Sequence, residues 1–106
     1  MLRKSFLIQV RKGMEQEYER RHNPIWPELE SIFKEHGVCN FSIFLEPSSG
    51  FLFGYLEVLD EETYRRIGDT DICKKWWKYN TEILICEKED DMKGKELDLR
   101  EVFHMG

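Results

Sequence analysis

Residues 40–56 read Asn40-Phe41-Ser42-Ile43-Phe44-Leu45-Glu46-Pro47-Ser48-Ser49-Gly50-Phe51-Leu52-Phe53-Gly54-Tyr55-Leu56, and the architecture of the chain turns on them. Phe41, Ile43 and Leu45 alternate with Asn40, Ser42 and Phe44, while Phe51, Phe53 and Tyr55 alternate with Leu52, Gly54 and Leu56. Each run therefore has the two-residue period of a strand. Pro47-Ser48-Ser49-Gly50 between them predicts a hairpin with a four- or five-residue turn. The aromatic residues at these spacings are expected mostly in the core.

On the N-terminal side, Phe6, Ile8 and Val10 alternate with Ser5, Leu7 and Gln9, which predicts a strand over about 3–11 that Lys12-Gly13 ends. Met14, Tyr18 and His22 then share one face of a helix, with glutamates on its solvated side. The residue before a proline is pushed out of the α region, so this helix should stop at Asn23, before Pro24. A second helix follows the proline pair, with Ile25, Leu29, Ile32 and Phe33 at helical spacing, Glu28 and Glu30 at its positive end and Gly37 just past its end.

On the C-terminal side, Asp60 is placed to cap a short helix from Glu61 to Ile67 that Gly68 closes, and Thr70 to cap another. In that last helix Ile72, Trp76, Tyr79 and Ile83 fall on one stripe, with Cys73 and Trp77 beside it. Residues 87–95 read as a charged, solvated loop. Leu97, Leu99, Val102, Phe103 and Met105 predict a last strand with a slip in its alternation.

The order is strand, helices, strand, strand, helices, strand, over one domain spanning residues 1–106. That is the α+β, ferredoxin-like βαββαβ arrangement: an antiparallel sheet with helices on one face. The other face is apolar too, and this chain has no second helical layer for it. A homodimer stacking two sheets face to face, a dimeric α/β barrel, is therefore expected.

Composition narrows the function. Charged residues make up 35%, hydrophobic 41% and aromatic 13%, with net charge -5 and no basic block, so neither disorder nor nucleic-acid binding is expected. Cys39, Cys73 and Cys86 are odd in number and lack zinc-site pairing, which fits reduced thiols and a cytoplasmic protein. The apolar run after Met1 is too short for a signal peptide or a membrane span. There is no Gly-rich phosphate loop, no His-x-x-x-His or Cys-x-x-Cys pair and no nucleophile elbow, so no nucleotide, metal or serine-hydrolase chemistry is expected.

The densest cluster of chemistry-bearing residues is Tyr18-Glu19-Arg20-Arg21-His22-Asn23-Pro24-Ile25-Trp26-Pro27. Tyr18 and His22, four apart, stack on one helix face, and a histidine in a last turn can exchange protons near neutral pH at the lip of a cleft. Arg20 and Arg21 are either donors for that cleft or partners of the many glutamates. Trp76-Trp77 is the second candidate: adjacent helical residues point about 100 degrees apart, so one can be core while the other lines a cleft. An indole offers a flat apolar face and one N–H, which suits a sugar ring. Trp26 reads as structural, and His36 and His104 lack local partners.

Tyr18 to Glu30 and Asp69-Thr70-Asp71-Ile72-Cys73-Lys74-Lys75-Trp76-Trp77-Lys78-Tyr79, with the opening Arg3-Lys4-x-Phe6 and the closing Glu101-Val102-Phe103, closely resemble the L-rhamnose mutarotase family over nearly the whole chain. The resemblance implies a cofactor-free, dimeric, ferredoxin-like isomerase acting on the anomers of L-rhamnose. It implies His22 as proton donor and Tyr18, Phe41, Trp76 and Trp77 as sugar contacts. Where the family usually has tyrosine this chain has Phe41, so any hydrogen bond from that hydroxyl must come from water or from a neighbour such as Asn40 or Ser42. Two other classes share the expected fold or residues: a cofactor-free monooxygenase of the same dimeric architecture, and a non-catalytic sugar-binding module.

Overall fold

In the computed structural model, which describes residues 1–106, four strands form one antiparallel sheet. The elements are β1 (Leu2–Gln9), α1 (Glu15–Arg21), α2 (Pro27–Glu35), β2 (Val38–Glu46), β3 (Phe51–Val58), α3 (Glu61–Arg65), α4 (Asp71–Asn80) and β4 (Leu97–Leu99), with a 3-10 turn over Arg66–Asp69. Spatial order is β2-β3-β1-β4, the ferredoxin-like arrangement the sequence predicts.

The predicted local signals operate as read. Asp60 accepts from the Thr63 amide at 2.8 Å, and Thr70 from the Cys73 amide at 3.3 Å, satisfying donors that a helix start leaves free. Pro27 occupies the first turn of α2, where its missing N–H costs nothing. Gly37, with φ +81°, takes the left-handed conformation that lets the chain leave α2 for β2. The helix predicted to run to Ile67 stops at Arg65, the remainder winding more tightly.

The register settles which strand face is covered. Leu52, Gly54, Leu56 and Val58 of β3 are buried under the helices, where Leu56 and Val58 join Leu29, Ile67, Cys73 and Trp76 in the main cluster. Leu52 belongs to a second cluster with Val10, Tyr18, Ile83 and Leu84. Gly54 is required because Phe6, its partner on β1, lays its ring across that position, and a Cβ would overlap it. Phe44, Phe51 and Phe53 therefore face outward, against the expectation that most of these aromatics are core; Phe44 is 67% exposed. Alternation identifies two faces but not which one the helices cover.

A bulge between Cys39 and Ser42 sets β2 against β3 with Asn40 and Phe41 opposite a single residue. Asn40 adopts φ +50°, a conformation asparagine tolerates better than most side chains. Because of the extra residue, Val38 before the bulge and Phe41, Ile43 and Leu45 after it all turn to the helix side, while Ser42 and Phe44 turn away.

Two further expectations are corrected. α4 ends at Asn80, so its inward stripe is Cys73, Trp76 and Asn80; Ile83 is buried from the turn beyond. The last strand is only Leu97–Leu99, pairing with β1, while Val102, Phe103 and Met105 extend past it fully exposed.

Candidate active site

The clusters leave a cleft of ≈ 970 Å³ between the inner sheet face and the helices, at the upper end of the range for small-molecule sites. All five residues expected to form a site line it: Tyr18, His22, Phe41, Trp76 and Trp77.

His22 is the C-cap of α1, and its ring is held from three sides. Nδ1 lies 2.9 Å from the Tyr18 carbonyl oxygen. The Tyr18 ring lies 4.3 Å away between centroids, tilted by 35°, and Trp76 presents an edge-to-face contact at 5.0 Å. A carbonyl only accepts, so in the neutral ring Nδ1 carries the hydrogen and Nε2 keeps its lone pair. Burial lowers the imidazole pKa from its ordinary 6.5, opposed by the bond to the Tyr18 carbonyl, which favours the cation. The resting side chain at neutral pH is thus a neutral imidazole whose free nitrogen is a base.

Tyr18 is 7% exposed and its phenol pKa is pushed up, first by burial and then by the charge of Glu96. It stays protonated at any working pH, so it can donate or accept a hydrogen bond but does not act as a phenolate base. Trp76 and Trp77 both line the cleft although they point apart on α4. Trp76 belongs to the core cluster, whereas Trp77 lies against Gly68 with Lys93 Nζ 4.2 Å over its ring. Phe41 sits edge-on to Phe6 at 6.1 Å and to Phe33 at 5.5 Å. Of the two neighbours that could supply a hydrogen bond in place of a hydroxyl, only Asn40 lines the cleft. Ser42 belongs to the opposite sheet face, and the Asn40 amide donates to Glu57 at 2.9 Å.

The arginines of the motif serve structure. Arg20 and Arg21 both bind Glu17, holding its carboxyl down at about 2. The Arg21 side chain also donates to the Tyr79 carbonyl at 2.8 Å and to Glu82 at 2.9 Å, and its guanidinium lies 3.7 Å from the Tyr79 ring centroid. Tyr79 in turn stacks on Trp26 at 5.4 Å, which meets Trp76 at 5.0 Å. Trp26 is thus a buttress behind Trp76, as the sequence reading has it.

The structure adds cleft residues that the sequence reading missed: Tyr64, Asn80, Lys93 and Glu96. Burial, followed by the charge of Glu96, pushes the Tyr64 phenol up to about 12. Asn80 left one signal, a polar residue four positions after Trp76 on an otherwise apolar stripe. Lys93 and Glu96 left none, because they lie on an aperiodic stretch whose path only tertiary contacts define.

Fold and cleft together define a ferredoxin-like α+β protein whose cleft sets a histidine among aromatic faces. The family profile described as L-rhamnose mutarotase matches residues 3–105. L-rhamnose mutarotases of Shigella flexneri and of Escherichia coli strain K12 are 42% and 41% identical over 105 residues, covering 99% of each chain. The crystal structure of L-rhamnose mutarotase from Formosa agariphila superposes with a TM-score of 0.86 at 31% identity over the full length of both chains. The chain belongs to the L-rhamnose mutarotase family. A Nitrosomonas europaea protein assigned to antibiotic biosynthesis monooxygenases shares the fold, with a TM-score of 0.63, at only 10% identity.

Proposed function

We propose that this protein interconverts the α and β anomers of L-rhamnose, with His22 moving the proton. The observation that carries the mechanism is the single nitrogen left free on a ring fixed at its other nitrogen. Opening a pyranose requires removing the proton on the anomeric hydroxyl and delivering one to the ring oxygen, both oxygens being bonded to the same carbon. Neutral Nε2 takes the hydroxyl proton as the carbonyl forms and the bond from the anomeric carbon to the ring oxygen breaks. The imidazolium then gives that proton to the ring oxygen. The aldehyde turns about its bond to C2 and recloses on its other face by the reverse transfers. No electrons are gained or lost.

A buried site suits this cycle. It disfavours the imidazolium, so the proton is handed on quickly, and a positioned acid–base group contributes about 10² to 10⁴ in rate. Tyr18, Phe41, Trp76 and Trp77 hold the sugar, with apolar ring faces against its C–H surfaces and the Tyr18 hydroxyl and an indole N–H towards its hydroxyls. Saturation-transfer NMR on L-rhamnose with catalytic amounts of protein tests the reading. Accelerated exchange between the two anomeric signals is expected; exchange at the solvent rate, with binding intact, makes the chain a sugar-binding module and ends the proposal.

The working unit on this reading is a homodimer in the cytoplasm, with the outer sheet faces stacked. Support comes from the exposed Phe44, Phe53, Leu97 and Leu99 on one face, a contiguous apolar patch of the kind that marks an interface. Sedimentation equilibrium should give twice the chain mass for the parent and a shift to the single-chain mass for Phe44→Asp. Among the helices, none is long and apolar enough to cross a membrane.

A further inference from the structure

Asn80 is the last residue of α4, is 3% exposed, and lines the cleft that also holds Tyr18, His22 and Trp76. Its amide nitrogen donates to the Trp76 carbonyl at 3.0 Å. That contact fixes which way the amide points, since a carbonyl can only accept, and so identifies Oδ1 as the remaining atom. No donor in the protein reaches Oδ1, and no other buried side-chain nitrogen or oxygen is left in this state.

A buried acceptor without a donor destabilises a fold by roughly what a lost hydrogen bond would contribute, so proteins seldom keep one without a reason. The position does not call for a polar residue on packing grounds. It continues the Cys73 and Trp76 stripe and is followed by buried Ile83 and Leu84, where a leucine would fit the pattern. The residue that carries the orphan is also one that lines the cleft, so a small turn of its side chain separates Oδ1 from a ligand there. A sugar is a ligand rich in hydroxyl donors.

We propose that Asn80 Oδ1 accepts a hydrogen bond from one ring hydroxyl of a sugar bound in the cleft, making Asn80 a specificity-determining residue. This rests on the sugar-isomerase reading above and adds to it which side chain checks a hydroxyl. A site built to bond a hydroxyl discriminates strongly against the analogue that lacks it, because the buried acceptor is then left alone.

The test is a cycle between protein and ligand. The parent, Asn80→Leu and Asn80→Ala are titrated with L-rhamnose and its 2-, 3- and 4-deoxy analogues, with thermal midpoints of the unliganded proteins recorded alongside. In the parent, one analogue should bind about 5- to 100-fold more weakly than rhamnose. In either variant rhamnose should weaken by a similar factor, and the same analogue should then bind as well as rhamnose does. Asn80→Leu, which removes the orphan acceptor, should melt no lower than the parent. If every analogue keeps its parent ratio to rhamnose in both variants, the assignment is overturned. A variant that melts lower but binds rhamnose unchanged assigns Asn80 a purely structural role and overturns it equally. Asn80→Ala carries the cycle if the leucine variant does not fold. Should the parent itself fail to exchange rhamnose anomers, the sugar-isomerase reading fails, which the anomer signals report separately from the affinities.

Discussion

At the end of α1, His22 closes the helix with Nδ1 2.9 Å from the carbonyl four residues back; at the end of α2, His36 does the same with the Ile32 carbonyl at 2.8 Å. Their φ angles, -97° and -96°, are nearly identical. Both rings therefore present the same tautomer and the same free nitrogen. The difference lies in what tertiary structure brings to each. His22 has the Tyr18 ring on one side, the edge of Trp76 on another and a cleft in front, whereas His36 packs on no aromatic ring and lies outside the cleft. The chain also leaves the two ends differently, through Asn23-Pro24 after His22 and through left-handed Gly37 after His36. A capping histidine is thus a local motif, and long-range packing turns one copy of it into a site.

The sharpest way to break this comparison is to delete each ring in turn. His22→Ala should lower kcat for anomer exchange by about 10² to 10⁴ while the fold and sugar binding persist; an unchanged kcat would remove His22 from the chemistry. A smaller effect is expected from Trp77→Ala, which strips a cleft face without touching the His22 ring. KM should rise about 3- to 10-fold with kcat near the parent value, in keeping with the strength of an aromatic contact.

Acidity sharpens the comparison further. Because burial lowers the His22 pKa below 6.5, the acid limb of kcat/KM should have its midpoint below that value. Stability has a matching sign. The unfolded chain takes up a proton near pH 6.5 and the folded chain only below it, so this residue destabilises the fold as pH falls through that window and contributes nothing above it. NMR titration of the His22 ring checks both; a midpoint above 6.5 would contradict the burial argument. The smallest effect belongs to His36→Ala, which removes only a helix-end hydrogen bond: about 1 kcal/mol of stability by denaturant melting, with exchange kinetics within twofold of the parent.

Much of this was legible from residues whose meaning is local. Asp60 and Thr70 announce their helices because a capping oxygen needs only three residues of context, and Tyr18 and His22 announce a shared face because a helix turn is four residues long. What escaped is what the sequence encodes only through distant partners. Phe44 and Leu52 have equal claims to the core until the helices choose a side. Glu96 enters the cleft from a stretch whose path no periodicity records, and Asn80 gains meaning only once its amide is seen turned to Trp76.

The bulge at Asn40 and Phe41 has a consequence beyond aiming a ring at the cleft. β2 is the outermost strand on its side of the sheet, with a row of backbone groups that a stray strand from another molecule could join. An interrupted ladder is a poor template for such addition. Removing Asn40 would leave Phe41 alone opposite Leu56, still on the helix side, and would open a regular edge, so the shortened protein should keep its cleft face while becoming prone to aggregate.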